Sequence, residues 1–148
     1  LNRPLIGATG TTAQTLQHAF TVCETKILSN TDATTTTLAT IGNASNTAGG
    51  AQVTITVTAD DGTNFDSETQ TATLSFVNKA GTFTVSTPTI TASSAANNSG
   101  SATIGFTATG ASSLISLNVT PVFTTLVPTT VRAYITITNN SQGAVTCQ

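Results

Sequence analysis

From Ala51 to Thr58 the chain reads Ala-Gln-Val-Thr-Ile-Thr-Val-Thr, with Val53, Ile55 and Val57 on one side of an extended backbone and threonines on the other. A period of two is the spacing of a strand with one face buried and one face wet. A helix needs apolar residues every three to four positions. The alternation returns along most of the chain. Leu16, His18, Phe20 and Val22 share one face of a strand, with Gln17, Ala19, Thr21 and Cys23 on the other. Ala72, Leu74 and Phe76 alternate over 71–77, and Ala102, Ile104 and Phe106 over 101–109. Ile115, Leu117 and Val119 do so over 114–120, and Val131, Ala133, Ile135 and Ile137 over 130–138. A weaker strand covers 34–41, where four consecutive threonines precede Leu38 and Ile41.

Threonine supplies 36 of the 148 residues. Its branched Cβ is stiff at χ1 and favours the β region, so a threonine-faced sheet is the expected use of it. No stretch of eleven or more residues has helical spacing. Between the alternating runs lie Gly42 to Gly50, Asp60-Asp61-Gly62, Ser93 to Gly100 and Gly110 to Ser113, all rich in turn formers. Asn78-Lys79-Ala80-Gly81 reads as a further turn, after which Phe83 and Val85 alternate again. The expected fold is all-β: an antiparallel sandwich or jelly roll of about seven to nine strands over residues 15–148. Residues 1–14 carry no periodicity around Arg3-Pro4, Gly7 and Gly10, and read as an extended N-terminal arm. Val53, Ile55, Val57, Leu74, Phe76, Ile104, Phe106, Ile135 and Ile137 are the expected core.

Charge narrows the function. Asp, Glu, Lys and Arg make up 7% of the chain, against about 25% in an average domain. Four cations in total exclude a basic nucleic-acid footprint and a charged membrane-surface helix. No apolar run approaches the roughly 20 residues of a membrane-spanning helix. With 38% hydrophobic residues and a net charge of −2, the chain is a folding rather than a disordered sequence. It begins at Leu1 and contains no Met, so residue 1 is expected to be a processed or truncated start.

Few residues carry chemistry. His18 is the one base available to a nucleophilic triad. Its place on the apolar side of an alternating strand reads as a structural imidazole, and no enzymatic activity is expected. Asp60, Asp61, Asn64, Asp66 and Glu68 offer hard oxygens to a Ca²⁺ ion. The EF-hand spacing is not met, however, and Asp-Gly between two alternating runs is a strong hairpin signal. A solvated hairpin is the leading reading and a Ca²⁺ loop the alternative. Cys23 and Cys147 are an even pair near the two ends; they form either a disulfide or two small apolar thiols, according to compartment. Asn43, Asn97, Asn118 and Asn139 head Asn-x-Ser/Thr sequons, which chance supplies readily at this composition. No cofactor is expected.

Asp61-Gly-Thr-Asn-Phe65, Thr73-Leu-Ser-Phe-Val-Asn-Lys-Ala-Gly-Thr82 and Val127-Pro-Thr-Thr-Val-Arg-Ala-Tyr-Ile-Thr-Ile-Thr-Asn-Asn-Ser-Gln142 resemble segments of β-rich structural proteins of tailed-bacteriophage virions, of the capsid-decoration and tail-fibre kind. The resemblance covers residues ~50–142. It implies a non-enzymatic virion-surface protein, trimeric, in contact with other virion proteins such as the major capsid or tail protein. It transfers no binding residues, because such proteins share turns and strands and vary their loops. Low charge points the same way, toward a homo-oligomer, since few charges guard the sheet edges. Leu5 and Ile6 in the arm are candidate oligomer contacts. The alternatives are a subunit of a secreted bacterial or archaeal filament, joined by strand donation at the cell surface, and a lectin-like carbohydrate-binding sandwich. The lectin reading is weakened by a single Tyr and no Trp to stack on sugars.

Overall fold

The computed structural model describes residues 19–28, 34–42, 45–98, 100, 102–111, 114–139 and 144–148, with Cys23 the one described side chain before residue 34. Leu5, Ile6, His18 and the 1–14 arm lie outside these residues. Ten strands run through the described part: β1 (Ala19–Leu28), β2 (Thr36–Gly42), β3 (Thr47–Asp60), β4 (Phe65–Lys79), β5 (Thr82–Val85), β6 (Thr89–Asn97), β7 (Ala102–Ala111), β8 (Leu114–Phe123), β9 (Thr130–Asn139) and β10 (Val145–Cys147). They form two antiparallel sheets. The larger runs β1-β9-β3-β4, with β5 and β6 both added to the far edge of β4; the smaller runs β10-β2-β8-β7.

The period-two residues of the two sheets meet as the core. Across the large sheet, Cys23 lies opposite Ile135, Ile135 opposite Ile55, and Ile55 opposite Gln70. The next row sets Ile137 beside Val53 and Val53 beside Ala72. Ile41, Ile115, Leu117 and Val119 answer from the small sheet, all fully buried. Of the nine expected core residues only Phe106 is half-buried. It packs on the core from β7, an edge strand with β8 as its one sheet neighbour, so one flank stays open.

Three local departures from plain alternation have physical causes. In β1 Cys23, the one described side chain, is buried opposite Ile135. Pairing with Ile135 sets Cys23 inward, although the alternation puts it on the face opposite the apolar series. In β2 both Leu38 and Ile41 are buried despite opposite parity, because the register shifts between Thr37 and Ala39. The turn read at 78–81 is centred one residue later. Lys79 pairs with Thr82, and Ala80 (φ 52°) and Gly81 (φ 87°) both occupy positive φ. Positive φ at both central residues is the type I′ turn, whose twist matches the flanking strands.

The strand total exceeds the expected seven to nine because of β6 and β10. Residues 89–97 read Thr-Ile-Thr-Ala-Ser-Ser-Ala-Ala-Asn, with no apolar alternation to announce a strand. Main-chain bonding to β4 makes it one.

Candidate interaction surface

The acidic stretch closes the β3–β4 hairpin. Asp60 pairs with Phe65, leaving 61–64 as the loop, with Gly62 at φ +90°. The Asp61 Oδ1 atom accepts from the main-chain N–H of Thr63 (2.9 Å) and of Asn64 (2.7 Å). Its Oδ2 accepts from Asn64 Nδ2 at 3.0 Å. The Asn64 side-chain amide, followed by those main-chain N–H groups, holds the Asp61 carboxyl below its ordinary pKa. The remaining carboxylates point elsewhere. Asp66 and Glu68 lie on the inner face of β4, where Asp66 Oδ1 accepts from Asn98 N at 3.0 Å. The structure therefore places Asp60 at the end of β3, Asp61 and Asn64 in the loop, and Asp66 and Glu68 on the inner face of β4. Among the described residues no three His, Cys, Asp or Glu side chains come together to hold one ion.

Glu68 lies within a polar group that the sequence pattern did not single out. Its Oε1 atom accepts from Gln70 Nε2 at 2.9 Å and from Ser93 Oγ at 3.0 Å. Gln70 Nε2 also donates to the main-chain carbonyl of Ile104 at 2.9 Å, crossing from one sheet to the other. Both acceptors require a donor, which fixes the orientation of the Gln70 amide. Glu68 is 5% exposed, and Glu68 Oε2 and Gln70 Oε1 are buried without a protein donor. The sequence signal was available: Asp66, Glu68 and Gln70 continue the inward parity of Ala72, Leu74 and Phe76. The inner face of the large sheet is thus apolar on β9 and β3 and turns polar along the first half of β4. There the core ends, because the small sheet stops at β7.

Beyond that margin β6 stands alone. All nine of its residues are exposed, on both faces. The outer face of the same sheet is a threonine surface, with Thr54 bonded to Thr71 (3.1 Å) and Thr56 to Thr69 (2.9 Å) across the β3–β4 pair. At the hairpin end, Phe65 (63%) and Val127 (82%) are exposed apolar side chains. Thr129 ties the Val127 loop to this end through its N–H to the Asp60 carbonyl at 2.8 Å.

At the opposite side of the sandwich a disulfide joins Cys23 of β1 to Cys147 of β10, with Cα atoms 5.3 Å apart. It links the edge of one sheet to the edge of the other. Two sequon asparagines are closed to a bulky modification. Asn139 is fully buried, and Asn118 is buried between Thr37 Oγ1 (2.7 Å) and Thr109 Oγ1 (3.2 Å). Asn97 is exposed, and Asn43 lies outside the described residues.

No protein-family profile and no curated protein matches this chain. A solved structure shares its fold. The tailspike protein of Acinetobacter baumannii phage AM24 superposes with a TM-score of 0.53 at 16% identity, over 84% of this chain and 27% of that protein. The tailspike protein of Acinetobacter phage vB_ApiP_P1 gives a TM-score of 0.49 at 16% identity, over 99% of this chain and 25% of that one. The chain thus spans about a quarter of the length of each tailspike.

Proposed function

We propose that this chain is a non-enzymatic structural module of a bacteriophage tail, a fibre or tailspike segment rather than a capsid decoration protein, acting as a homotrimer through subunit contacts. The observation that carries the reading is the fold it shares with part of the phage AM24 tailspike over 84% of its own length. The segments resembling phage virion proteins, residues ~50–142, point independently in the same direction. The chemistry of the described residues is consistent with a scaffold. Asp61 closes its own loop, Asp66 binds Asn98, and Glu68 binds Gln70 and Ser93, so these carboxylates serve local structure. Among the described residues the exposed surface is rich in threonine, serine and alanine, with Phe65 and Val127 the most exposed of its large apolar side chains.

Immunogold labelling of virions of the phage encoding the chain tests the location. Label on the tail is expected; label confined to the capsid, or to filaments on the host cell, refutes it. Native mass spectrometry of the purified chain tests the stoichiometry, with three copies expected.

A further inference from the structure

β6 is an unusual strand for a sandwich. It is hydrogen-bonded to β4 alone, and its other edge meets no described strand. At nine residues it is about 30 Å long, against a usual five or six residues for a strand. Its inner face, which carries Ile90, Ser93, Ala95 and Asn97 by register with Ala72, Gln70, Glu68 and Asp66, is uncovered. The reason is the unequal width of the two sheets, since β7 packs over β4 and β5 and the small sheet ends there.

Proteins ordinarily guard such an edge with charges, prolines or very short strands. Here no charged residue occurs between Lys79 and Arg132, and β6 has no proline within it. One register shift, between Thr71 and Ala72 of β4, is its only irregularity. Gln70 and Ser93 donate to one oxygen of Glu68 beneath the strand, leaving Glu68 Oε2 and Gln70 Oε1 without a protein donor, and no described residue covers the strand itself.

We propose that β6 is the strand through which one copy of this chain meets a second. Its free edge pairs with a strand of that copy, which also covers Ile90, Ser93 and Ala95. The proposal rests on the homo-oligomeric reading above and names the surface that reading leaves open. A second copy fits this surface better than an unrelated protein. Recognition of a foreign partner draws mainly on aromatic and arginine side chains, and β6 offers none. It offers main-chain donors and acceptors flanked by Ala and Ser, small enough for close approach, on a chain in which charged residues are only 7%.

The test uses the full chain and two substitutions at an exposed inner-face position, Ala95→Lys and Ala95→Ser. Neither side chain is needed for the fold of one copy, so circular dichroism should be unchanged. Sedimentation velocity over a concentration series should show the oligomer of the parent and of Ala95→Ser, and at least tenfold weaker association of Ala95→Lys. Hydrogen exchange should show the β6 amides that face away from β4 protected at least tenfold in the oligomer. An oligomer that survives Ala95→Lys with those amides exchanging freely overturns the role of β6 while leaving the oligomer standing. A parent chain that sediments as single copies overturns both readings. Should Ala95→Lys misfold, amide protection in the parent decides alone: protected β6 amides support the contact and freely exchanging ones refute it.

Discussion

Replacing Cys147 by serine isolates the effect of the one covalent link between the sheets. The bridge closes a sequence separation of 124 residues. In the chain-entropy account, a loop of that length restricts the unfolded state by about 5 kcal/mol at 25 °C, an upper figure, and native bridges typically contribute about 2–5 kcal/mol. A domain of this size is stable by about 5–15 kcal/mol in total, so the upper figure is a third or more of it. At roughly 2–4 °C per kcal/mol for this length, Tm falls by about 5–20 °C. Cys147 is exposed and Cys23 buried. Changing Cys147 therefore leaves a small apolar thiol in the core and creates no cavity. A local effect accompanies the global one. β10 has three residues, held to β2 by pairing and by Gln148 N to Leu38 O at 3.0 Å. Its amides should exchange faster once the bridge is gone. Urea melts followed by circular dichroism, for the oxidised parent and Cys147→Ser at equal concentration, give the difference directly. A loss below about 1 kcal/mol, with the parent's bridge verified by mass spectrometry, would refute the loop-closure argument for this fold.

Other perturbations act inside one copy. Phe76→Ala empties a fully buried site and should cost about 3–5 kcal/mol in a urea melt; a cost under about 1 kcal/mol means the site collapses or is wet. Ala80 occupies positive φ at the first central position of a type I′ turn, so Ala80→Asn should stabilise by up to about 1 kcal/mol, and a lower midpoint contradicts that turn. The Asp61 carboxyl, held down by Asn64 and the loop N–H groups, should titrate below a free aspartate when followed by NMR. Because its folded pKa is depressed, its stabilising contribution is complete above about pH 4 and fades as pH falls through the folded value. Asn64→Ala should move that titration back up, and an unchanged curve would exclude the side-chain amide as the main cause.

Period two was enough to establish the class of this fold and the inward faces of β3, β8 and β9. Each of these strands is flanked on both sides within its sheet, and its alternate side chains have no option but the core. Turn chemistry likewise marked Asp61-Gly62 and Ala80-Gly81, since positive φ confines the choice of residue. The remaining features depended on neighbours far away in the chain. Cys23 faces inward through its pairing with Ile135, and its bond to Cys147 awaited the arrival of β10 at the same side. Glu68 and Gln70 share the parity of Leu74 and Phe76, yet they meet each other, Ser93 and the Ile104 carbonyl, because the small sheet ends over β4. β6, whose second half from Ser93 reads as a turn-rich spacer, is a strand only because the main chain of β4 leaves donors and acceptors for it to bind. Alternation records what a strand buries and says nothing of its neighbours or of where the opposing sheet stops; those follow from the assembled sheets, where main-chain bonds form whatever the side chains are.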